Sequence, residues 1–251
     1  MNLNVKAYLQ RMNYHGSLSP TAETLKQLQL AHLQTVPFEN LSIHRDEPIV
    51  LNDAALYDKI VHRRRGGFCY ELNGLFAALL RELGFNVEML SAQVVDGSGV
   101  VGPPFDHMTL LVHLEKPWLA DVGFGDSFLE PLVLDEKSEQ RQGNRAYKIL
   151  KEDATRKLLQ QIDDGDWKEQ YRFTLRPYEY SDYAEMCQYH QTSPNSHFTK
   201  ARICSRATPE GRITLSGMRF ITTTLGDRHE EEITSEEKYQ GLLKEHFGIT
   251  F

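Results

Sequence analysis

Leucine and phenylalanine recur at helical spacing after residue 69, and this run is the clearest periodic signal in the chain. The apolar positions that share one face are Leu72, Leu75, Phe76, Leu79, Leu80 and Leu83. Gly84 follows the last of them and is a common helix terminator. The spacing therefore predicts an amphipathic helix that begins in or beside the turn containing Cys69 and buries its apolar face.

Two weaker helical segments precede this one. The first extends from Thr21 to Val36, and the second from Asn52 to Val61. Asn52 is a suitable N-cap, because its side chain can accept a hydrogen bond from a free N–H of the first turn. Residues 1–85 are therefore predicted to be mainly helical.

After Gly84 the period changes to that of β-strands. The segments predicted as strands are 87–95, 107–114, 118–122, 147–162, 167–175, 203–207 and 212–224. Asp164-Gly165 predicts a hairpin turn, and Glu230–Glu232 is expected to form a solvated acidic turn. Helices are predicted over 178–189 and 235–247, the second with Ser235 as its N-cap. Helices followed by strands and a mixed tail favour an α+β fold over alternating βαβ units.

The composition is that of an ordinary soluble protein, and it disfavours membrane proteins, disulfide scaffolds and nucleic-acid-binding proteins. The chain has 251 residues, 40% hydrophobic and 25% charged, with no apolar run near the ~18 residues of a membrane span and no apolar leader at the N-terminus. Three cysteines, an odd number, disfavour a disulfide scaffold. We therefore expect a cytoplasmic protein without a membrane partner. The net charge of −7 disfavours nucleic acid as the main partner, and the oligomeric state is not predicted.

Cys69 is a candidate nucleophile because of its place at the start of the predicted helix. Unpaired N–H groups and the positive end of the helix dipole favour a thiolate there. Free cysteine is often only a small buried apolar residue, so a structural role is the alternative.

His107 and Asp121 are its candidate partners. A cysteine nucleophile uses a histidine to take its proton, and a third group orients the imidazole. His107 begins a predicted strand and Asp121 ends the next. If a turn centred near Glu115 joins the strands, Asp121 faces Thr109 and lies diagonally from His107 on the same face. A register error of one residue would place Asp121 on the other face.

Several blocks of this chain resemble the arylamine N-acetyltransferase family. They are Val36–Leu41, Arg65–Asn73, His107–Val112, Asp121–Gly125 and Ser193–Phe198. The blocks follow the family's order and extend over most of the chain. The resemblance implies a helical domain (1–85), a β-barrel domain (86–190) and an α/β lid domain (191–251) around a cysteine-protease-like Cys–His–Asp core.

The resemblance also implies roles for individual residues. Cys69 would accept the acetyl group, His107 would be its ion-pair partner and proton shuttle, and Asp121 would orient the imidazole. Arg65 would pair with Glu39 and so stabilise the segment just before Cys69, which we call the cysteine loop.

The implied reaction is a ping-pong transfer of an acetyl group from acetyl-CoA to arylamines or arylhydrazines, through an acetyl-cysteine intermediate, with O-acetylation of N-hydroxyarylamines as a further reaction. Phe38 and Phe124 are expected to contact the acceptor, and Gly102 and Phe198 the acetyl-CoA. No metal is expected, because no Cys/His pair has zinc-site spacing. The alternatives are a thiol hydrolase of the papain or transglutaminase type and a non-catalytic ligand-binding protein.

A short basic run precedes the cysteine block. Its residues are His62, Arg63, Arg64 and Arg65. For Arg63 and Arg64, a solvated helix face is favoured over a contact with phosphate.

Overall fold

The computed structural model of the protein describes residues 3–251. The α-helices are α1 (Val5–Arg11), α2 (Ala22–Thr35), α3 (Asp53–Tyr57), α4 (Cys69–Glu82), α5 (Ala184–Thr192) and α6 (Glu236–Leu242). The strands are β1 (Phe38–Glu39), β2 (Asn86–Val94), β3 (His107–His113), β4 (Pro117–Ala120), β5 (Leu132–Val133), β6 (Gln140–Gln142), β7 (Arg145–Glu152), β8 (Thr155–Ile162), β9 (Lys168–Tyr178), β10 (Ile203–Thr208), β11 (Gly211–Ser216), β12 (Arg219–Thr224) and β13 (Asp227–Glu232).

The helix predicted behind the cysteine is confirmed as α4, and Cys69 is its first residue. The main-chain N–H of Phe68 donates to Glu71 Oε2 at 3.1 Å, which fixes the start of the helix. All residues of α4 from Cys69 to Leu80 are buried, so the helix lies in the core.

The other helices are confirmed with shifted ends. Asn52 caps α3 as predicted, accepting the N–H of Ala55 at 2.9 Å, but a π-helical turn follows α3 and ends at His62. The predicted helix over 178–189 begins later, because β9 continues to Tyr178. The capping bond from the Glu179 N–H to Asp182 Oδ2, at 2.8 Å, then begins a 3₁₀ turn that leads into α5.

An eight-stranded antiparallel sheet forms the central part, in the order β5-β4-β3-β2-β9-β8-β7-β6. Its two edge strands meet through Gln140 of β6, whose amide bonds to the N–H and the C=O of Val133 on β5 at 2.7 and 3.0 Å. The sheet is thereby a nearly closed barrel, as expected. The single strand predicted over 147–162 is wrong: Asp153, at φ +51°, turns the chain between β7 and β8. The hairpin predicted at Asp164-Gly165 is confirmed between β8 and β9.

A second sheet has the order β1-β10-β11-β12-β13. The single strand predicted over 212–224 is wrong, because Gly217, at φ +57°, turns the chain between β11 and β12. The acidic turn predicted at Glu230–Glu232 is also wrong: these residues belong to β13, an exposed edge strand. Charges on an edge strand discourage pairing with another chain. Ser235 caps α6 as predicted.

Strand β1 connects the helical part to the second sheet. Phe38 pairs with Ser205 of β10 on one side and bridges to Gly67 on the other. Residues before the predicted boundary at 85 thus contribute to the C-terminal sheet, and the division into three domains stays a prediction. No helix within residues 3–251 is long and apolar enough to cross a membrane.

Candidate active site

The segment before Cys69 packs so closely that it requires glycine. A Cβ on Gly66 would lie 1.9 Å from the carbonyl oxygen of Pro37, a main-chain atom that cannot move aside. Next to it, the Glu39 N–H donates to the Gly67 carbonyl oxygen at 2.9 Å. These contacts hold the loop that delivers Cys69 to the start of α4.

Two buried ion pairs fix the same loop. Arg65 donates through Nε to Glu39 Oε1 at 2.9 Å and through a terminal nitrogen to Glu39 Oε2 at 3.1 Å. Lys59 Nζ lies 2.7 Å from Glu71 Oε1. The structure thus brings Arg65 and Glu39 together in a bidentate pair, a geometry that is directionally specific as well as strong.

The Cys69 thiol is buried at the inner end of a cavity. Its residue is 3% exposed. Burial raises the pKa of the Cys69 thiol well above its usual range. The main-chain N–H of Met108 opposes this rise, and the nearby charges of Asp106 and Asp121 add to it. Burial therefore opposes the thiolate that the helix start favours, and a neighbouring base would assist removal of the thiol proton.

His107 lines the same cavity and is held by Asp121. The two are joined by a hydrogen bond of 2.6 Å between His107 Nε2 and Asp121 Oδ2. The pairing of Leu110 with Ala120 confirms the register predicted from a turn near Glu115. With Asp121 ionised, Nε2 carries the proton, so the lone pair of the neutral ring lies on Nδ1.

Asp121 is buried, yet a set of donors keeps it ionised. Burial disfavours its charge, but the His107 imidazole and the hydrogen bonds from Asn73 and from the Gly123 N–H outweigh this and lower its pKa. Asn73 Nδ2 and the Gly123 N–H both donate to Oδ1 at 2.9 Å. Tyr171 donates its hydroxyl to Oδ2 at 3.1 Å.

Asn73 and Tyr171 are site residues that sequence reasoning missed. Asn73 lies four positions after Cys69 on α4, and the i, i+4 spacing was a signal that could have placed the two on one helix face. Tyr171 had no such signal, because it reaches Asp121 only through the pairing of β9 with β2.

We expect Asn73→Leu to destabilise the protein and slow its chemistry. Asn73 also donates to the Met108 carbonyl oxygen at 2.7 Å and accepts the Val122 N–H at 2.8 Å. Both groups would be left buried and unpaired, at a cost of about 2–5 kcal/mol in total. Chemical denaturation measures the loss, with Asn86→Leu, at an exposed position on β2, as the control. Equal stability of the two variants would contradict the role assigned to the amide.

The cavity has a volume of about 490 Å³ and aromatic walls. Phe38, Phe124 and Phe198 all line it, together with Cys69 and His107. The Phe124 ring meets the His107 ring edge-on, with 5.2 Å between centroids. Aromatic walls of this kind are typical of sites that bind flat apolar ligands.

Gly123 allows the barrel to approach α4. A Cβ at this position would lie 2.8 Å from Cys69 Cα. The end of the strand that carries Asp121 can therefore rest against the cysteine main chain only because residue 123 lacks a side chain.

Gly102 does not line the cavity. Its N–H donates to the Val94 carbonyl oxygen at 2.7 Å, and a Cβ on it would lie 2.6 Å from Asp106 Oδ2. Val94 and Asp106 do line the cavity. Gly102 therefore contacts residues of the cavity wall without belonging to that wall. Its contact with acetyl-CoA stays a prediction.

Within residues 3–251, no group of three or more His, Cys, Asp or Glu side chains is arranged to hold a metal ion.

Comparison with known proteins gives a consistent result. Residues 21–251 match the N-acetyltransferase family profile. The chain is 35% identical over 247 residues to an arylamine N-acetyltransferase / N-hydroxyarylamine O-acetyltransferase of Salmonella typhimurium, covering 97% of this chain and 88% of the relative.

Solved structures agree with the sequence comparison. The arylamine N-acetyltransferase from Salmonella typhimurium superposes with a TM-score of 0.92 at 33% identity, over 98% of this chain and 90% of the other. The Mycobacterium marinum arylamine N-acetyltransferase in complex with CoA has a TM-score of 0.90 at 30% identity, over 98% and 93%. The chain therefore belongs to the arylamine N-acetyltransferase family.

Proposed function

We propose that this protein transfers the acetyl group of acetyl-CoA to the nitrogen of an arylamine or arylhydrazine through an acetyl-Cys69 intermediate. The observation that carries the proposal is that Cys69 and His107 line the same cavity, with the His107 imidazole held by an ionised Asp121. The aromatic cavity in front of the sulfur provides the place for the acceptor.

In the first half-reaction, the thiol proton of Cys69 moves to His107 Nδ1 as the sulfur attacks the thioester carbonyl carbon. The bond between that carbon and the CoA sulfur then breaks. The departing CoA thiolate takes the proton from His107, which leaves neutral CoA and an acetyl-cysteine.

In the second half-reaction, the acceptor nitrogen attacks the acetyl carbon and its proton moves to His107. The bond from the acetyl carbon to the Cys69 sulfur breaks, and the proton returns to that sulfur. Asp121 stays ionised throughout and stabilises the imidazolium formed in each half. The Cys69 N–H, at the first turn of α4, is the proposed donor to the developing oxyanion.

The three phenylalanines support an aromatic acceptor. We propose that Phe38 and Phe124 contact its ring and that Phe198 contacts acetyl-CoA. The Salmonella relative is also named an N-hydroxyarylamine O-acetyltransferase, and we extend O-acetylation to this chain as a second reaction at the same site.

We propose that the helical segment 1–85 supplies the nucleophile, 86–190 supplies the base and its carboxylate, and 191–251 covers the cavity. We further propose a cytoplasmic location, where the three free cysteines would stay reduced. The proposed partners are acetyl-CoA and the acceptor, without nucleic acid or a membrane.

Intact-protein mass spectrometry after rapid mixing with acetyl-CoA, without acceptor, tests the function. We expect a gain of one acetyl group that peptide mapping locates on Cys69, because without an acceptor only water and the released CoA can attack the acetyl-cysteine. Addition of an aromatic amine should remove the label and form the N-acetyl product.

Cys69→Ala should take up no acetyl group, whereas Cys187→Ala, at another buried free cysteine, should be labelled like the unchanged protein. Absence of any labelled species, with CoA released and free acetate formed instead, would favour the thiol hydrolase. Absence of both adduct and CoA release would favour the ligand-binding alternative.

A further inference from the structure

A second cavity, of about 390 Å³, shares no lining residue with the cavity that holds Cys69. It lies where α1, the loop before Cys69, β10 and the π-helical turn Leu243–Phe247, which follows α6, meet. The charged or titratable side chains that line it are Arg11, Arg64, Arg206 and His246. We call it the arginine cavity.

The arginine cavity carries positive charge without a counter-charge. Within residues 3–251, no carboxylate lines it, and none of its three arginines forms a salt bridge. The one acidic contact is Glu245 Oε1, 3.7 Å from Nε2 of its neighbour His246. Acidic residues outnumber basic ones in this chain, 35 to 28, so a scarcity of carboxylates does not explain the cluster.

The positive charge of Arg11 is buried and lies near two other arginines. Its side chain is buried and donates only to main-chain carbonyl oxygens, at 2.8–3.3 Å. Burial and the charges of Arg64 and Arg206 lower the pKa of Arg11 to about 10. An anion between the guanidinium groups would relieve the mutual repulsion.

Arg206 contributes an unpaired buried donor. Its terminal nitrogens donate to the main-chain oxygens of Gln34 and His246. Its Nε is buried and has no partner among residues 3–251. A buried N–H without an acceptor is costly and uncommon, and the side chain that carries it belongs to a residue lining the arginine cavity.

We propose that the arginine cavity binds a small anion with two linked phosphate groups, either free pyrophosphate or the diphosphate of a nucleotide. Guanidinium groups match phosphate oxygens in paired hydrogen bonds. A single carboxylate would balance one of the three guanidinium charges, whereas a diphosphate balances most of them.

The bound anion would stabilise the loop that precedes Cys69. Arg11 donates to the carbonyl oxygens of Arg64 and Arg65, both at 3.3 Å, and Arg65 forms the buried pair with Glu39. A ligand that binds only the folded chain raises its stability in proportion to the logarithm of its concentration above Kd. This inference stands independently of the acetyl-transfer chemistry.

Calorimetric titration of the full chain with sodium pyrophosphate tests the site, with sodium chloride added to keep ionic strength constant. Arg64→Gln removes an exposed arginine of the cavity, and we expect it to weaken pyrophosphate binding about tenfold, the loss of one charge-assisted contact. Arg63→Gln is the matched control, because Arg63 pairs with Asp58 outside the cavity and should leave Kd unchanged.

Thermal melting provides a second readout. Pyrophosphate should raise the melting temperature of the unchanged protein and of Arg63→Gln by equal amounts, and that of Arg64→Gln by less. Equal rises in all three proteins, a rise matched by sodium chloride alone, or no heat of binding would overturn the proposal.

The two sources of the diphosphate are separated by a third titration, with ADP. ADP binding that is tighter than pyrophosphate binding and is weakened by Arg64→Gln supports a nucleotide site. Weaker ADP binding, with the pyrophosphate response intact, supports a free diphosphate.

Discussion

His107→Gln is expected to slow acetylation of Cys69 by acetyl-CoA by about 10²–10⁴-fold. Burial raises the pKa of the Cys69 thiol well above its usual range, so the sulfur depends on His107 to take its proton. Glutamine can still donate to Asp121 but cannot accept that proton. Rapid-quench mass spectrometry measures the rate directly.

The same variant separates a catalytic base from a structural residue through the pH dependence of alkylation. Iodoacetamide reacts with thiolate, so its reaction with Cys69 near neutral pH should slow strongly in His107→Gln and recover only at higher pH. His62→Gln, at an exposed histidine paired with Asp58, is the control. Unchanged alkylation rates across the pH range would contradict proton transfer to His107.

Glu39→Gln is expected to lower the free energy of unfolding by about 3–5 kcal/mol, because it breaks the buried bidentate pair and leaves Arg65 only the partly exposed carboxylate of Glu47, 3.3 Å from a terminal nitrogen. Glu39 Oε2 also accepts the Leu41 N–H at 2.7 Å. If the amide nitrogen of glutamine takes the place of this oxygen, the hydrogen bond is lost, because the nitrogen cannot accept it. For a chain of this size the loss corresponds to about 6–20 °C in melting temperature. Scanning calorimetry measures it.

Glu231→Gln is the matched control for this loss. Glu231 pairs with Lys238 on the exposed edge strand β13, and exposed ion pairs contribute little to stability. A melting temperature for Glu39→Gln within error of that of Glu231→Gln would show that the bidentate pair is not a major support of the cysteine loop.

The sequence predicted those features that depend on residues close together in the chain, such as a helix or a pair of strands joined by a short turn. The apolar spacing behind Cys69 predicted α4 and a start in or beside the turn containing Cys69, because the buried face of an amphipathic helix has a periodic apolar pattern. The register of β3 with β4 followed from a short turn near Glu115, because a tight turn fixes every later pair.

Long-range contacts were not predictable in the same way. Tyr171 and Arg206 reach their contacts only because β9 and β10 pair with strands that are far away in the sequence. The burial of Cys69 was also not predictable, because a position at the start of a helix does not indicate which other segments cover that residue. The turn predicted at Glu230–Glu232 is wrong because these residues are all exposed in an edge strand, which lacks the apolar alternation of a half-buried strand.

The pairing of β1 with β10 also bears on the order of folding during synthesis. Phe38 and Ser205 are neighbours in the sheet, although most of the chain separates them in sequence. Contacts of such long separation form late, because a long loop must close before they contribute. A nascent chain can therefore form α4 and much of the barrel while the cysteine loop still lacks one of its walls. We expect the nucleophile to be fully enclosed only after β10 has left the ribosome, so activity should not appear before that strand has been synthesised.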